Sequence, residues 1–178
     1  MATVRVQAED FDAASEARAL STGRADIGAL VTFVGLCRDE GGRLASLEIE
    51  HYAGMAEREL RRVAADAEAR WPLLGVTVVH RHGDIPAGAP IVLVVTAAAH
   101  RGDAFAAADF LMDYLKTRAP FWKRARLVDG SSEDWIEAKD ADDRAAARWS
   151  GFRGNGPIDN EHDDRADDRD DHAADVKP

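Results

Sequence analysis

Basic side chains at the ends of predicted strands and helices are the groups in this sequence that could do chemistry. Arg38 follows a β-prone run, and His100 and Arg101 lie between a predicted strand and a predicted helix. Lys116 falls on the last turn of that helix, and Lys123 follows an aromatic segment. Two lysines in a partly desolvated pocket repel each other, so one has a lowered pKa and can act as nucleophile or base. An arginine beside them can hold a phosphate with two hydrogen bonds, which predicts a site for a small anionic substrate.

Each of these residues also has a purely structural interpretation. A lysine late in a helix, such as Lys116, commonly complements the helix dipole, and an alternating strand often carries outward lysines such as Lys123. Arg38 can be an ordinary loop charge, and His100 can cap its helix. Cys37 is more often a small buried apolar residue than a reactive thiol. Three further histidines are interpreted as structural or surface residues: His51, His80 and His82. On spacing alone both interpretations stay open.

Composition restricts the class of protein. The chain has 178 residues, is 46% hydrophobic and 31% charged, and carries a formal charge of −10, which argues against general nucleic-acid binding. No apolar run approaches the roughly 20 residues of a membrane span, and no signal peptide is visible. The single cysteine excludes a disulfide framework and a cysteine-rich zinc site. We expect a soluble, cytoplasmic protein with one domain and no metal site.

The last 28 residues differ in composition from the rest. Between positions 151 and 178 nine acidic residues stand against four basic ones, and large apolar residues are scarce. Such a stretch cannot bury enough surface to offset its ordering entropy, so it predicts an acidic disordered tail and a domain spanning residues 1–150. The two histidines within it are interpreted as part of a solvated tail rather than as metal ligands.

Periodicity indicates an α+β fold with a mixed or mainly antiparallel sheet, since strands and helices alternate without a regular βαβ rhythm. Strands are predicted to begin at Val4 and to span residues 27–35, 44–52, 76–79, 91–95, 122–128 and 135–138. The run at 27–35 is nearly continuous in β-prone residues and predicts a buried strand. Helices are predicted at 11–20, 55–71, 103–118 and 140–149. Walker, dinucleotide-binding, His-Glu-x-x-His and Gly-x-Ser-x-Gly motifs are absent from the sequence.

Five segments occur in an order that resembles a known family. They are Val31-Thr-Phe-Val-Gly-Leu-Cys-Arg38, Leu47-Glu-Ile-Glu-His-Tyr-Ala-Gly-Met55, His80-Arg-His-Gly83, Ala99-His-Arg101 with Ala104-Phe105, and Met112-Asp-Tyr-Leu-Lys-Thr-Arg-Ala-Pro-Phe-Trp-Lys123. Together they closely resemble the large, catalytic subunit of molybdopterin synthase over about residues 27–149. The last segment is highly specific, and each of the others is moderately so.

The resemblance implies a fold and a reaction. The fold is an α/β-hammerhead with an additional antiparallel β subdomain, and the large subunits form a homodimer. Each binds a small ubiquitin-like sulfur-carrier subunit, which gives a heterotetramer. The C-terminal Gly-Gly thiocarboxylate of this partner donates sulfur, and two transfers convert cyclic pyranopterin monophosphate to molybdopterin. The family is thus a sulfurtransferase in molybdenum cofactor biosynthesis, and this subunit requires no metal or organic cofactor.

The resemblance also implies roles for particular residues. Lys116 is expected to act directly at the thiocarboxylate or the substrate, and Lys123 to assist with charge or proton transfer. Arg38, His100 and Arg101 are expected to bind the pterin phosphate or the partner's carboxyl terminus. Further substrate-contacting positions are Leu36, Cys37, Arg124 and Ala125.

One position departs from the family. A glutamate usually stands two residues after the second lysine, where this chain has Ala125, and such a carboxylate could orient a lysine or arginine. The nearby Asp129-Gly-Ser-Ser132 resembles an insertion that reshapes the loop. Two alternatives therefore remain: a non-catalytic homologue that binds the pterin and the partner with weakened chemistry, and a phosphate-ligand binding domain unrelated to sulfur.

Overall fold

The computed structural model describes residues 2–39, 41–117, 119–136 and 148–149. Within these residues the chain forms three helices and eight strands. The helices are α1 (Ala13–Ser21), α2 (Met55–Arg70) and α3 (Arg101–Thr117). The strands are β1 (Thr3–Gln7), β2 (Ala29–Leu36), β3 (Leu44–His51), β4 (Leu73–Arg81), β5 (Gly83–Pro86), β6 (Pro90–Ala98), β7 (Phe121–Leu127) and β8 (Ser132–Ile136). The predicted α+β class is confirmed.

The first sheet is mixed and has helices on both faces. Its strand order is β1-β4-β6-β2, with β1 parallel to β4 and the other pairs antiparallel. The central strands β4 and β6 are buried over most of their length because both faces are covered. Val78 and Val94 pack with Leu60 and Leu111 of α2 and α3, whereas Leu93 packs on the opposite face against α1.

The second sheet is smaller and entirely antiparallel. Its order is β5-β3-β7-β8, which agrees with the additional antiparallel subdomain that the resemblance implied. Its inner face carries Ile49 and Ile85, which pack with Cys37 and with the partly buried Ile91 of β6 and Phe121. This small core joins the second sheet to the first at the end of β2.

The expectation of a buried strand at residues 27–35 was wrong in one respect. The strand exists as β2, but it is the last strand of its sheet, and Leu30, Phe33 and Val34 are each nearly two-fifths exposed. An apolar run indicates only that the side chains are removed from water. Burial in a subunit interface favours the same apolar composition as burial in a core. The short β5 lies between the strands predicted at residues 76–79 and 91–95 and was not predicted.

The helix ends follow local signals. Asp12 caps α1 by accepting a hydrogen bond from the Ala14 amide at 3.0 Å, and α2 ends before Pro72. Helix α3 begins at Arg101, two residues earlier than predicted, and the Thr96 hydroxyl ties its first turn to β6 by donating to the Ala104 carbonyl at 2.7 Å. No helix among the described residues is long and apolar enough to cross a membrane.

Two predictions fall on other parts of the chain. The acidic tail at residues 151–178 lies outside the described residues, and so does the predicted helix at 140–149 apart from Arg148 and Trp149. Those two residues form a turn that packs on the domain. The Trp149 indole donates to Asp113 of α3 at 2.8 Å, and its carbonyl accepts from Arg70 at 3.1 Å.

Candidate functional site

A cavity of about 400 Å³ opens where the end of β2 meets the inner face of the second sheet. Its charged side chains are Arg38, Arg43 and Glu133. The rest of the wall is largely apolar, formed by Leu36, Cys37, Leu44, Leu47, Ile91, Ala125 and Leu127. Four residues predicted from the sequence, Leu36, Cys37, Arg38 and Ala125, therefore line one space. The combination of two guanidinium groups and an apolar wall suits an anion that carries a flat ring.

Cys37 forms part of the cavity floor. It is 2% exposed, and its amide donates to the Ala89 carbonyl at 2.8 Å, while its own carbonyl accepts from the Gly88 amide at 2.6 Å. Burial raises the pKa of the thiol above its ordinary value. Because only the thiolate is a strong nucleophile, these properties favour the structural interpretation of Cys37 over a reactive thiol.

Lys123 lies on the strand that forms one wall of the cavity. Side chains alternate along β7, so Lys123 shares the inner face with Ala125, and the two positions pair with Ile49 and Leu47 of β3. The charge of Lys123 also lowers the pKa of the buried His80, so the lysine lies near this histidine at the junction of the two sheets. The expected position of Lys123 beside the substrate pocket is thus compatible with the fold.

His80 is a buried histidine near Lys123. The imidazole is 3% exposed, stacks on Phe121 with ring centroids 3.7 Å apart, and donates from Nδ1 to the Arg81 carbonyl at 2.8 Å. Burial first, and then the charge of Lys123 with smaller contributions from His51 and His82, lowers the pKa of His80 to about 3. The histidine is therefore neutral when the protein is folded at pH 7.

The buried His80 predicts an acid-sensitive fold. Its pKa falls from 6.5 in the unfolded chain to about 3 in the folded one, so below pH 6.5 only the unfolded state takes up this proton. The free energy of unfolding should therefore decrease by up to about 1.4 kcal/mol per pH unit from this group between pH 6.5 and 4.5. Urea unfolding of wild type and His80→Phe at several pH values measures it, and the variant should show the shallower slope. Parallel slopes would contradict the prediction.

Lys116 lies on the exposed last turn of α3, next to the buried Leu115. Helix α3 follows β6 and runs back along the first sheet, where Phe105 and Met112 face Phe33 of β2 across an apolar groove. Its C-terminal turn therefore points toward the end of the sheet at which Leu36 pairs with Pro90. Lys116 and the cavity are at the same end of the first sheet.

His100 and Arg101 lie at the opposite end. Lys116 lies fifteen positions after Arg101 on the same helix, which corresponds to about 22 Å at 1.5 Å per residue. At that end Gly28 passes so close to Ala99 that a Cβ on it would lie 2.2 Å from the Ala99 carbonyl oxygen. A single chain therefore does not bring His100 and Arg101 to the cavity that Arg38 lines.

Arg124 faces away from the cavity. Its guanidinium donates to Glu48 Oε2 at 2.6 and 2.9 Å and stacks 4.7 Å from the centre of the Trp135 ring, on the outer face of the second sheet. Hydrogen bonds from Arg124 and Arg126 lower the pKa of Glu48. The expected substrate contact of Arg124 thus has no support from its side-chain position within this chain, where it forms part of an ion-pair network.

Two charged cavity residues were not predicted as site residues. Arg43 lies between the strands predicted at residues 27–35 and 44–52, and Glu133 lies ahead of the predicted start of the last strand. The insertion-like segment Asp129–Ser132 was the available signal for Glu133, because extra residues in a hairpin change which side chains face inward. Among the described residues no group of three or more His, Cys, Asp or Glu side chains could hold a metal ion.

Comparison with known proteins identifies the family. A family model described as MoaE protein matches residues 6–118. The molybdopterin synthase catalytic subunit of Mesorhizobium japonicum is 63% identical over 147 residues, which cover 83% of this chain and 92% of that protein. The chain belongs to the MoaE family. The resemblance predicted from the five sequence segments is thereby confirmed.

Solved structures of MoaE relatives have the same fold. The molybdopterin biosynthesis MoaE protein of Burkholderia ambifaria superposes with a TM-score of 0.72 at 49% identity, over 84% of this chain and 98% of that one. Molybdopterin synthase from Staphylococcus aureus gives 0.67 at 27% identity, over 74% and 95% of the two chains. The match spans nearly the whole of each solved chain, so the two-sheet arrangement is that of the family.

Proposed function

We propose that this chain is the catalytic, sulfur-transferring subunit of a molybdopterin synthase. Its substrate is cyclic pyranopterin monophosphate, and its sulfur donor is the C-terminal thiocarboxylate of a small ubiquitin-like carrier. In each transfer the thiocarboxylate sulfur bonds to a side-chain carbon of the substrate in place of an oxygen substituent. Water then hydrolyses the acyl–sulfur bond, which leaves the sulfur on the substrate and an ordinary carboxylate on the carrier. The observation that carries the proposal is the cavity with two arginines on an apolar wall, in a chain of the MoaE family.

The cavity matches the two parts of that substrate. Arg38 and Arg43 supply the positive charge that a cyclic phosphate needs, and Leu47 and Ile91 offer apolar surface for a pterin ring. Lys123 lies two residues from Ala125 on the same face of β7 and stabilises negative charge that develops during transfer. Lys116 acts directly at the thiocarboxylate or the substrate.

A homodimer would complete this site. Strand β2 ends its sheet, and its eight residues, ALVTFVGL, include no charged residue or proline to prevent pairing with another strand. Antiparallel pairing of two β2 strands about a two-fold axis near Thr32 and Phe33 would set Leu36 of one copy opposite Ala29 of the partner subunit. The N-terminal end of β2 adjoins His100 and Arg101, so the partner's copies of these residues would approach Arg38.

The same assignment accounts for the remaining partners. One small carrier subunit on each copy of the dimer gives a heterotetramer. The thiocarboxylate of the carrier is an anion, so it suits a cavity lined by Arg38 and Arg43. We place the reaction in the cytoplasm, where a single unpaired cysteine such as Cys37 stays reduced.

A second candidate function is a non-catalytic pterin-binding and partner-binding homologue. The observation that favours it is Ala125, which forms the cavity wall at the position where the family usually has a glutamate. This alternative predicts tight binding of the small subunit and of the pterin without product. The unrelated phosphate-binding domain predicts pterin binding that does not depend on the small subunit.

Reconstitution tests the proposal. Purified full-length chain, thiocarboxylated small subunit and cyclic pyranopterin monophosphate are mixed, and molybdopterin is measured as its fluorescent oxidation product. We expect product from wild type, and a rate change of no more than about tenfold for Ala125→Glu, since one charge-assisted hydrogen bond is worth about that factor. Product from Ala125→Glu alone would establish the binding homologue instead.

A further inference from the structure

A β-bulge lies beside the cavity at the position of Ala125. Arg124 pairs with Trp135, and Arg126 pairs with Ser132. Between these pairs β7 contributes one residue, Ala125, whereas β8 contributes two, Glu133 and Asp134. A bulge of this kind turns side chains away from simple alternation and is common beside active sites.

The bulge determines which side chains of β8 face inward. Trp135 stacks on Arg124 at the outer face of the sheet, while Glu133, two positions earlier, lines the cavity. On a regular strand, side chains two positions apart face the same side, so without the extra residue Glu133 and Trp135 would both face outward. Glu133 therefore reaches the cavity wall next to Ala125 because of the bulge.

Ala125 leaves room for that carboxylate. Its side chain ends at Cβ and is 6% exposed, with Leu47 as its cross-strand neighbour. A longer side chain at position 125 would project into the space that Glu133 now borders. The small residue on β7 and the acidic residue on β8 thus form one arrangement, in which the carboxylate enters from the neighbouring strand.

The charges of the cavity have distinct uses for a pterin phosphate. Arg38 and Arg43 are cationic and suit the phosphate, whereas Glu133 is the one acidic side chain among the described residues that line the cavity. A carboxylate repels phosphate but accepts two parallel hydrogen bonds from adjacent N–H groups. The 2-amino-4-oxopyrimidine edge of a pterin presents two such donors, on the ring nitrogen and on the amino group.

We propose that Glu133 recognises the aminopyrimidinone edge of the pterin and thereby determines the specificity of this cavity. The inference rests on the proposed function for the identity of the substrate. Glu133 binds the ring by accepting from its N–H and NH₂ groups, and the arginines hold the phosphate at the other end. It replaces, from β8, a carboxylate that β7 lacks at position 125.

A pair of probes that differ at one group tests this recognition. The full chain, assembled with small subunit whose C-terminus is an unmodified carboxylate, is dialysed against 6-hydroxymethylpterin monophosphate or the corresponding lumazine monophosphate. Lumazine has a carbonyl in place of the amino group and cannot donate there. Wild type should prefer the pterin by about tenfold or more, and Glu133→Gln and Glu133→Ala should lose most of this preference through weaker pterin binding.

Two further variants make the test specific. Glu50→Gln removes a carboxylate from the outer face of the same sheet and should bind both probes as wild type does. The double variant Ala125→Glu/Glu133→Ala returns a carboxylate to β7 and should regain pterin preference. In turnover, Glu133→Gln should raise the KM for cyclic pyranopterin monophosphate about tenfold, with kcat changed less than about threefold.

The outcomes separate this inference from the proposed function. Equal binding of the two probes by wild type, or an unchanged preference and KM in both Glu133 variants, would overturn the role of Glu133 even if molybdopterin is made. Failure of wild type to form molybdopterin, together with a pterin preference that depends on Glu133, would overturn the proposed reaction and support the recognition.

Discussion

Replacing Lys116 with alanine is expected to lower the rate of molybdopterin formation by at least about 100-fold, the usual loss when a group acting in proton transfer or as a nucleophile is removed. The fold should persist, because Lys116 is exposed and its favourable interaction with the helix dipole is worth at most about 1 kcal/mol. Single-turnover formation of product measures the rate. Thermal unfolding and binding of the small subunit measure whether the variant is intact.

Arg18→Ala is the matched control for that experiment. Arg18 also stands in the last turn of a helix, α1, so its removal reproduces the loss of a C-terminal cation at a distance from the cavity. The control should retain wild-type rates. If the rate of Lys116→Ala fell by less than about threefold, Lys116 would have only a structural role at the helix end. Lys123 would then be the residue that acts directly on the substrate.

Mixing two inactive variants is expected to restore activity if the site is shared between two copies of the chain. Arg38→Ala and Arg101→Ala should each be nearly inactive, because each removes a cation from every site. After subunit exchange, half of the dimers in an equimolar mixture are mixed, and each mixed dimer has one intact site. The mixture should therefore recover about a quarter of wild-type activity, a consequence of two-fold symmetry.

The control for this complementation uses two substitutions at residues that the same chain contributes to one site. Arg38→Ala mixed with Lys123→Ala leaves a defect in each site of the mixed dimer, since both residues belong to the chain that forms the cavity. No recovery is expected. Recovery in the control as well, or none in the first mixture, would exclude a site shared through β2.

A charged residue at the outer edge of β2 tests whether this strand forms the contact between two copies of the chain. Val34→Lys introduces a cation on an exposed position of that strand and should separate the proposed dimer, because edge lysines prevent strand pairing between sheets. Sedimentation velocity then distinguishes one copy from two. A variant that stays dimeric would place the contact between copies elsewhere on the molecule.

Much of the fold followed from local patterns. Periodicity predicted β3 and β7, and it predicted the ends of α2 and α1 to within about two residues. These features depend on neighbours in sequence. The family could likewise be recognised, since the segment from Met112 to Lys123 is specific without any coordinates.

The site was predictable only in its residue types. Sequence and resemblance predicted Lys116, Lys123 and Arg38 as site residues, and Arg38 lines the cavity. The resemblance also named Arg124 as a substrate contact, but its side chain pairs with Glu48 on the outer face of β7. The sequence determined which side chains are available for chemistry, because residue identity and local spacing are written in it. The tertiary structure decided the rest: the position of β2 as the last strand of its sheet, the separation of Arg101 from the cavity that Arg38 lines and the inward turn of Glu133. Each of these depends on strand pairing between distant parts of the chain, which no local pattern encodes.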